Sequence, residues 1–261
     1  MIPLISRWTA IRERVDQEEL LDLNEGSLED AAQSLRDLTR INRWLGGGAF
    51  LRKHLFKRLR SLAPRTPVSI LDIGSGSATT PVAIAKWARR NHKTVRIVAL
   101  DNNARHLRIA RQTIAGYPEI ELVRSNADAL PFREDAFDFV ISTLFLHHFT
   151  AETLSEMVPL FVNVCRGAVL LNDLTRDRVP CLFFRLATPF LARSPLTRHD
   201  GRVSLLRAYT RPEMRAILDR ADCRQAEIHL DWIYYRMTVV ARKVAAGKIV
   251  SNEVVPGKAS E

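Results

Sequence analysis

At 261 residues, 46% of them hydrophobic and 26% charged, the chain is long enough for one large domain with a full core. The formal net charge is +10, and no run of about 18 uncharged apolar residues offers a membrane-spanning helix. Three widely spaced cysteines, Cys165, Cys181 and Cys223, give neither metal-ligand spacing nor an even disulfide set, which points to reduced thiols in a cytoplasmic protein. The first seven residues, Met1 to Arg7, lack the charged-then-apolar order of a signal peptide. The arginines are scattered, with no aromatic-interleaved basic patch. This argues against a nucleic-acid partner and for a solvated basic surface, with weak membrane-surface association as a secondary reading.

Residues 1–26 read as a short helix and a loop carrying the acidic stretch Asp16 to Glu19. Ser27 is a candidate N-cap, with Asp30 three residues on. Leu28, Ala31, Ala32, Leu35, Leu38, Ile41 and Leu45 then recur at helical spacing, and Gly46-Gly47-Gly48 ends that helix. A second helix covers about 50–62, and Pro64 and Pro67 break the chain after it.

Val68 to Ile73 is a short apolar run that reads as a buried parallel strand, and it leads into Gly74-Ser75-Gly76 and a helical pattern from Ala78 to about Arg90. Strand, Gly-rich turn and helix form a nucleotide-binding unit, because glycine lets the backbone bend sharply and approach a ligand. A dinucleotide site would place a third glycine where Thr79 stands. Asp72 would repel a pyrophosphate and instead suits a cationic ligand. The next strand, 95–100, ends at Asp101, placed to accept both hydroxyls of a ribose. Helix 104–115, strand 119–123 and strand 137–142 continue the alternation, which implies a doubly wound parallel sheet.

With Asn126 to Phe132 and Phe137 to Ser142 added, the sequence resembles the class I S-adenosylmethionine (SAM)-dependent methyltransferases, closest to the branch with ubiquinone/menaquinone-type and small-molecule O-methyltransferases. The likeness is good over roughly 68–175 and loose in the flanks; Ala78 stands where many members carry a third glycine. The resemblance implies an α/β, Rossmann-like, doubly wound, mostly parallel seven-stranded sheet that binds SAM. It implies cofactor contacts from Asp72, Gly74, Gly76, Asp101, Asn102, Asp128, Ala129 and Ser142, with Asp128 on the adenine amino group. It also makes residues 1–67 an N-terminal helical lid, with Asn42, Arg43 and Trp44 beside flexible glycines, either facing the ligands or packing as a helix end.

The fourth strand runs into His147 and His148, beyond the carboxyl end of a strand, where ligands of open α/β sheets sit. Either could take a proton from a phenol or enol, or pack and orient the loop. Thr150 caps a helix over 151–164, and a fifth strand, 167–171, ends at Asn172-Asp173. Ser142 and Thr143 stand where a hard cation would want a carboxylate, so no metal is expected. Residues 174–209 read as an insertion over the active site: an apolar run from Val179 to Leu191, then His199 as a rival base with Asp200 as its orienter. Thr210 caps helix 211–221, strands 225–230 and 235–241 close the sheet, and residues 244–261 form a flexible tail after a 68–243 core. The expected activity is methyl transfer to a small, apolar or aromatic acceptor (phenolic, polyketide-like or quinone-like), at oxygen. The alternatives are C-methylation of a quinone-like ring and a non-catalytic SAM-fold binding protein.

Overall fold

Strand β1 (Val68–Ile73) divides its side chains between two cores: Leu71 and Ile73 pack into one, Val68 and Ile70 into the other. Successive side chains of a strand point to opposite faces, so a strand covered on both sides must be apolar at nearly every position. β2 (Val95–Asp101), β4 (Phe137–Thr143) and β5 (Cys165–Leu174) divide in the same way, whereas β3 (Ile120–Arg124) is only partly covered. β6 (Glu227–Asp231) and β7 (Arg236–Ala241) follow. The computed structural model describes residues 13–44, 46–63, 66–177, 192, 194–231 and 233–243. It assembles a seven-stranded sheet in the order β3-β2-β1-β4-β5-β7-β6. β1 to β5 pair in parallel, and β7 runs antiparallel between β5 and β6.

Helices cover both faces, as a doubly wound sheet requires. α1 spans Leu28–Trp44. α2 begins at Gly47–Phe50, passes through a π-helical stretch at Leu51–Phe56 and ends at Lys57–Ser61. α2, α3 (Thr79–Arg90) and α4 (Ala104–Thr113) bury residues in one core. α5 (Ala151–Asn163) and α7 (Arg211–Arg220) bury theirs in the other. α6 (Pro195–Arg207) packs against α1, where Ser34 and Thr197 share a buried hydrogen bond of 3.0 Å. The expected caps are present. Ser27 and Asp30 bond reciprocally, the Thr150 hydroxyl accepts from Thr153 N–H, and Thr210 forms a capping box with Glu213.

Two boundaries differ from the sequence expectation. The glycine triplet ends α1, but the helix resumes within it rather than at residue 50. Gly46 takes φ +86°, which turns the chain within one residue. A Cβ on Gly46 would lie 2.5 Å from the Tyr234 ring, and one on Gly47 2.5 Å from the Asn42 amide oxygen, so two elements close on bare backbone there. β5 is also longer than 167–171, because β7 pairs with it as far as Leu174. Asn172 and Asp173 therefore lie inside the strand. The Asn172 amide donates to Met237 O and Thr238 Oγ1 and accepts from Arg236.

Cys165 and Cys223 are free thiols; Cys181 lies outside the described residues. No helix among the described residues is long and apolar enough to cross a membrane. The apolar run from Val179 to Leu191 and the tail beyond Lys243 also lie outside them.

Candidate active site

Gly74, Gly76 and Ala78 all adopt left-handed backbone conformations, at φ +69°, +53° and +58°. Glycine does this freely, whereas alanine does so at a steric cost of about 1–2 kcal/mol. The missing third glycine thus still has its backbone shape, imposed on Ala78. The turn brings chain against ring: a Cβ on Gly74 would sit 2.2 Å from Phe145. Asp101 ties the turn to β2, with one carboxylate oxygen accepting Gly76 N–H at 2.8 Å and the other Asn103 N–H at 2.9 Å.

Asp72 is buried beneath this turn, and its Oδ2 has no hydrogen-bond partner. Burial first, and then the Asp101 charge, push its carboxyl well above the usual range. An isolated buried carboxyl is costly, and a cation beside it restores the ionised form. Ser75 Oγ, Thr143 Oγ1 and His106 Nε2 are likewise buried and unpartnered. Such a set fits a ligand with an ammonium, a carboxylate and ribose hydroxyls.

Two cavities meet here. The larger, about 590 Å³, is lined by Gly74, Gly76, Asp101, Asn102, His147 and His148 together with apolar side chains of α1, α6 and the β6–β7 turn. The smaller, about 220 Å³, is lined by Asn126, Ala127 and Asp128. Gly74, Asp101, Asn102, Phe145 and Phe149 border both, so the pair can take the two ends of one extended ligand.

Beyond β4, Leu146–His148 forms a single 3-10 turn. Two arginines grip its backbone. Arg14 Nη2 donates to His147 O and Phe149 O, both at 2.8 Å, and Arg207 donates to His147 O at 3.1 Å and His148 O at 2.7 Å. Tyr209 adds a bond to Phe149 O at 2.7 Å. Inside the turn, His147 is buried between two carboxylates: Nδ1 is 2.8 Å from Asp173 Oδ1, and Nε2 is 3.3 Å from Glu19 Oε1. Burial alone would lower its pKa, but Asp173 and Glu19 prevail and raise it to about 10. His147 is thus a locked imidazolium, unsuited to accept a proton near neutral pH.

His148 is different. It lines the large cavity, and its Nδ1 lies 2.7 Å from Asp22 Oδ2. The approach is off the ring's N–H direction, which makes it a close polar contact rather than an aligned hydrogen bond. Burial opposes ionisation of Glu19 and Asp22, but the histidines outweigh it and hold both carboxyls below their usual range.

Glu19 and Asp22 lie in the N-terminal segment. α6 holds that segment down. Asp200 accepts the N–H groups of Leu20 and Leu21 at 2.9 and 3.0 Å, Ser204 Oγ donates to Glu19, and Arg207 Nη1 donates to Gln17 O. The sequence marks this stretch only as acidic. No spacing rule connects it to histidines more than a hundred residues on, so only the three-dimensional docking reveals the acids.

The fold brings Gly74, Gly76, Asp101, Asn102 and Asp128 around the paired cavities, while Asp72 is buried and lines neither. Three other candidates fall elsewhere. Ser142 is fully buried, and its hydroxyl donates to Ile73 O at 2.9 Å, tying β4 to β1 rather than facing a cavity. Ala129 follows the adenine-side turn but lines neither cavity. His199 bonds to Asp200 at 2.9 Å and to Gln17, outside both cavities, and the Asp200 carboxylate is spent on the N-terminal backbone. Asn42 lines the large cavity, whereas Arg43 is exposed. Glu19, His147 and His148 each bring one ligand atom within 4.8 Å of one another, a spacing a metal ion could use. Both ring nitrogens of His147 already face carboxylates, so in this arrangement protons do the work a cation would do.

A family model described as a methyltransferase domain matches residues 70–167. Over 81 residues the chain is 36% identical to a demethylmenaquinone methyltransferase of Clavibacter sepedonicus, covering 31% of each chain. Over 86 residues it is 34% identical to the Bacillus subtilis (strain 168) enzyme of that name, covering 32% of this chain and 36% of that one. A malonyl-[acyl-carrier protein] O-methyltransferase of Geobacter sulfurreducens is 28% identical over 189 residues, 69% of this chain and 66% of that one. The chain thus spans about a third of the length of the demethylmenaquinone methyltransferases it matches. Among solved structures, the citrinin polyketide synthase CMeT domain superposes with TM-score 0.59 at 18% identity, covering 86% of this chain and 59% of that one. A SAM-dependent methyltransferase from Methanosarcina mazei gives 0.51 at 18%, covering 73% and 97%. These likenesses at low identity speak for the fold alone. The matched domain, with the glycine turn over an unpartnered acid and Asp101 at the end of the next strand, marks residues 70–167 as a class I SAM-dependent methyltransferase core.

Proposed function

We propose that the protein transfers a methyl group from SAM to a hydroxyl oxygen of a small, largely apolar or aromatic acceptor, with His148 taking the proton. The carrying observation is that one apolar cavity is bordered both by the glycine turn with Asp101 and by His148. The cofactor supplies an electrophilic methyl on a sulfonium, and the protein's part is to hold the reactants in line and exclude water. Asp72 and Asp101 would receive the ammonium and the ribose. Asp128 and its neighbours would receive the adenine. Leu35, Leu38, Ile41 and Leu205 offer the acceptor an apolar wall. His147 fixes the turn and leaves His148 as the cavity histidine without a second carboxylate lock. We extend the proposal to the N-terminal residues as a lid over this cavity.

The test is to incubate the protein with methyl-labelled SAM and a panel of phenolic and polyketide-like acceptors, then identify the labelled product. Label in an O-methyl group supports the reading, and SAM binding without transfer to any acceptor overturns it. A second reading, C-methylation of a quinone-like ring, is favoured by the names of the demethylmenaquinone methyltransferases. The carbon-bound methyl resonance of a labelled product would distinguish it.

A further inference from the structure

We infer that Asp22 is the positioning carboxylate for His148, so that the base of this active site is complete only while the N-terminal segment is docked. The inference rests on the oxygen-acceptor reading above. His148 alone is a poorly placed base. Its ring lies 4.3 Å from that of His147, which is cationic, and charge arriving on His148 as it takes a proton meets that repulsion. Glu19 and Asp173 are committed to His147. Asp22, 2.7 Å from Nδ1, is the carboxylate that meets the second charge. A carboxylate on Nδ1 also favours the tautomer with its lone pair on Nε2. Contacts of this kind are often imperfectly aligned before ligands arrive and tighten in the reacting complex.

The position of Asp22 is built rather than incidental. The segment that carries it is held on one side by α6, through Asp200, Ser204 and Arg207. It is held on the other by α4, where Arg105 donates to Asn24 O and to Gly26 O and Asn103 reaches Asn24. Asp22 lies between these anchors, on the wall of the same cavity as Gly74 and Asp101. His106, at the start of α4, also faces it electrostatically.

The step balances. The acceptor O–H proton passes to His148 Nε2, the O–C bond forms as the S–C bond breaks, and the sulfonium becomes a neutral thioether. The resulting imidazolium is paired with Asp22 and then loses its proton to solvent.

Asp22 is 41% exposed, so replacing it should not threaten folding. The experiment compares the intact chain with Asp22→Asn and Asp22→Glu, using one weakly acidic phenol and one phenol already ionised at the assay pH. Asp22→Asn is expected to lower kcat for the weakly acidic phenol about 100-fold, the scale of general-base loss, while KM and the Kd of SAM stay within about twofold. The loss should shrink below about tenfold for the ionised phenol, and Asp22→Glu should recover most of the rate. Equal losses with both phenols, or none with either, overturn the inference while leaving methyl transfer intact. If the wild type methylates neither phenol, the oxygen-acceptor reading itself has failed.

Discussion

Asp173 holds His147 twice: Oδ1 lies 2.8 Å from the ring Nδ1, and Oδ2 accepts the backbone N–H at 2.9 Å. A side chain bonded at both its ring and its own backbone has no freedom left, which suits a structural cation under a binding loop.

This pairing sets a pH signature. The pKa of His147 is raised to about 10, above its ordinary value, so its stabilisation is complete at low pH and fades as pH rises from about 6.5 through 10. Glu19, Asp22 and Asp173 are shifted down, so theirs is present above the ordinary carboxylate range and fades as pH falls below about 4. Thermal melts should therefore peak near pH 5–6.5 and decline toward 10. His147→Gln strands buried carboxylates and should cost about 3–5 kcal/mol and abolish that alkaline slope. An unchanged slope in the variant would assign the effect to other groups.

Asp101→Ala removes the carboxylate proposed above to receive the ribose hydroxyls. Bonds to a charged group are worth about 1.5–3 kcal/mol each, so SAM should bind at least tenfold more weakly by calorimetry. Asp101→Asn keeps the shape and should show most of the same loss, because the charge is what it removes. Wild-type affinity in both variants would take Asp101 out of the cofactor site.

Gly74→Ala sets a methyl 2.2 Å from Phe145 on a backbone at φ +69°. The left-handed conformation costs about 1–2 kcal/mol, and the clash adds more. SAM binding should be lost. Adding Phe145→Ala should restore part of it, since only the clash is relieved. Full restoration would mean the backbone angle is no constraint.

Asp200→Ala frees two backbone N–H groups of the N-terminal segment. Each unmet buried donor costs about 1–3 kcal/mol, so amide exchange at Leu20 and Leu21 should accelerate more than tenfold while β1 and β4 stay protected. Uniform acceleration across the sheet would instead mark Asp200 as a global core residue.

Methyl transfer should persist in EDTA, because in the Glu19–His147–His148 cluster both ring nitrogens of His147 already face carboxylates and leave it no lone pair for an ion. Activity lost to EDTA and restored by magnesium would show that this cluster carries an ion in the working enzyme.

The sheet was legible because local rules suffice for it. β1 and α3 fall where the apolar run and the helical pattern place them, and the caps at Ser27, Thr150 and Thr210 follow short-range chemistry. The glycine turn was legible for the same reason: Asp72, Gly74, Gly76 and Asp101 lie on one βαβ unit. The acceptor side was not. His199 and Asp200 do pair as the chain suggests, at 2.9 Å, yet that carboxylate also holds the backbone of Leu20 and Leu21 and the pair lines neither cavity. Ser142 sits at a strand end that should open on the cleft, yet β1 offers a nearer acceptor in Ile73 O. Both outcomes are decided by which distant segment docks alongside, and adjacency in sequence carries no record of that.

The acids that meet His147 and His148 from the N-terminal side come from outside residues 70–167, where the family likeness lies. On the proposed reading, the cofactor turn and the acids that set the acceptor side lie on separate stretches of chain. A lineage could exchange the short run between Arg14 and Gly26 and move to a new acceptor while every residue of the glycine turn stayed as it was. Likeness confined to the central third of such a protein would then register common descent and shared cofactor, and remain silent about the molecule that leaves with the methyl group.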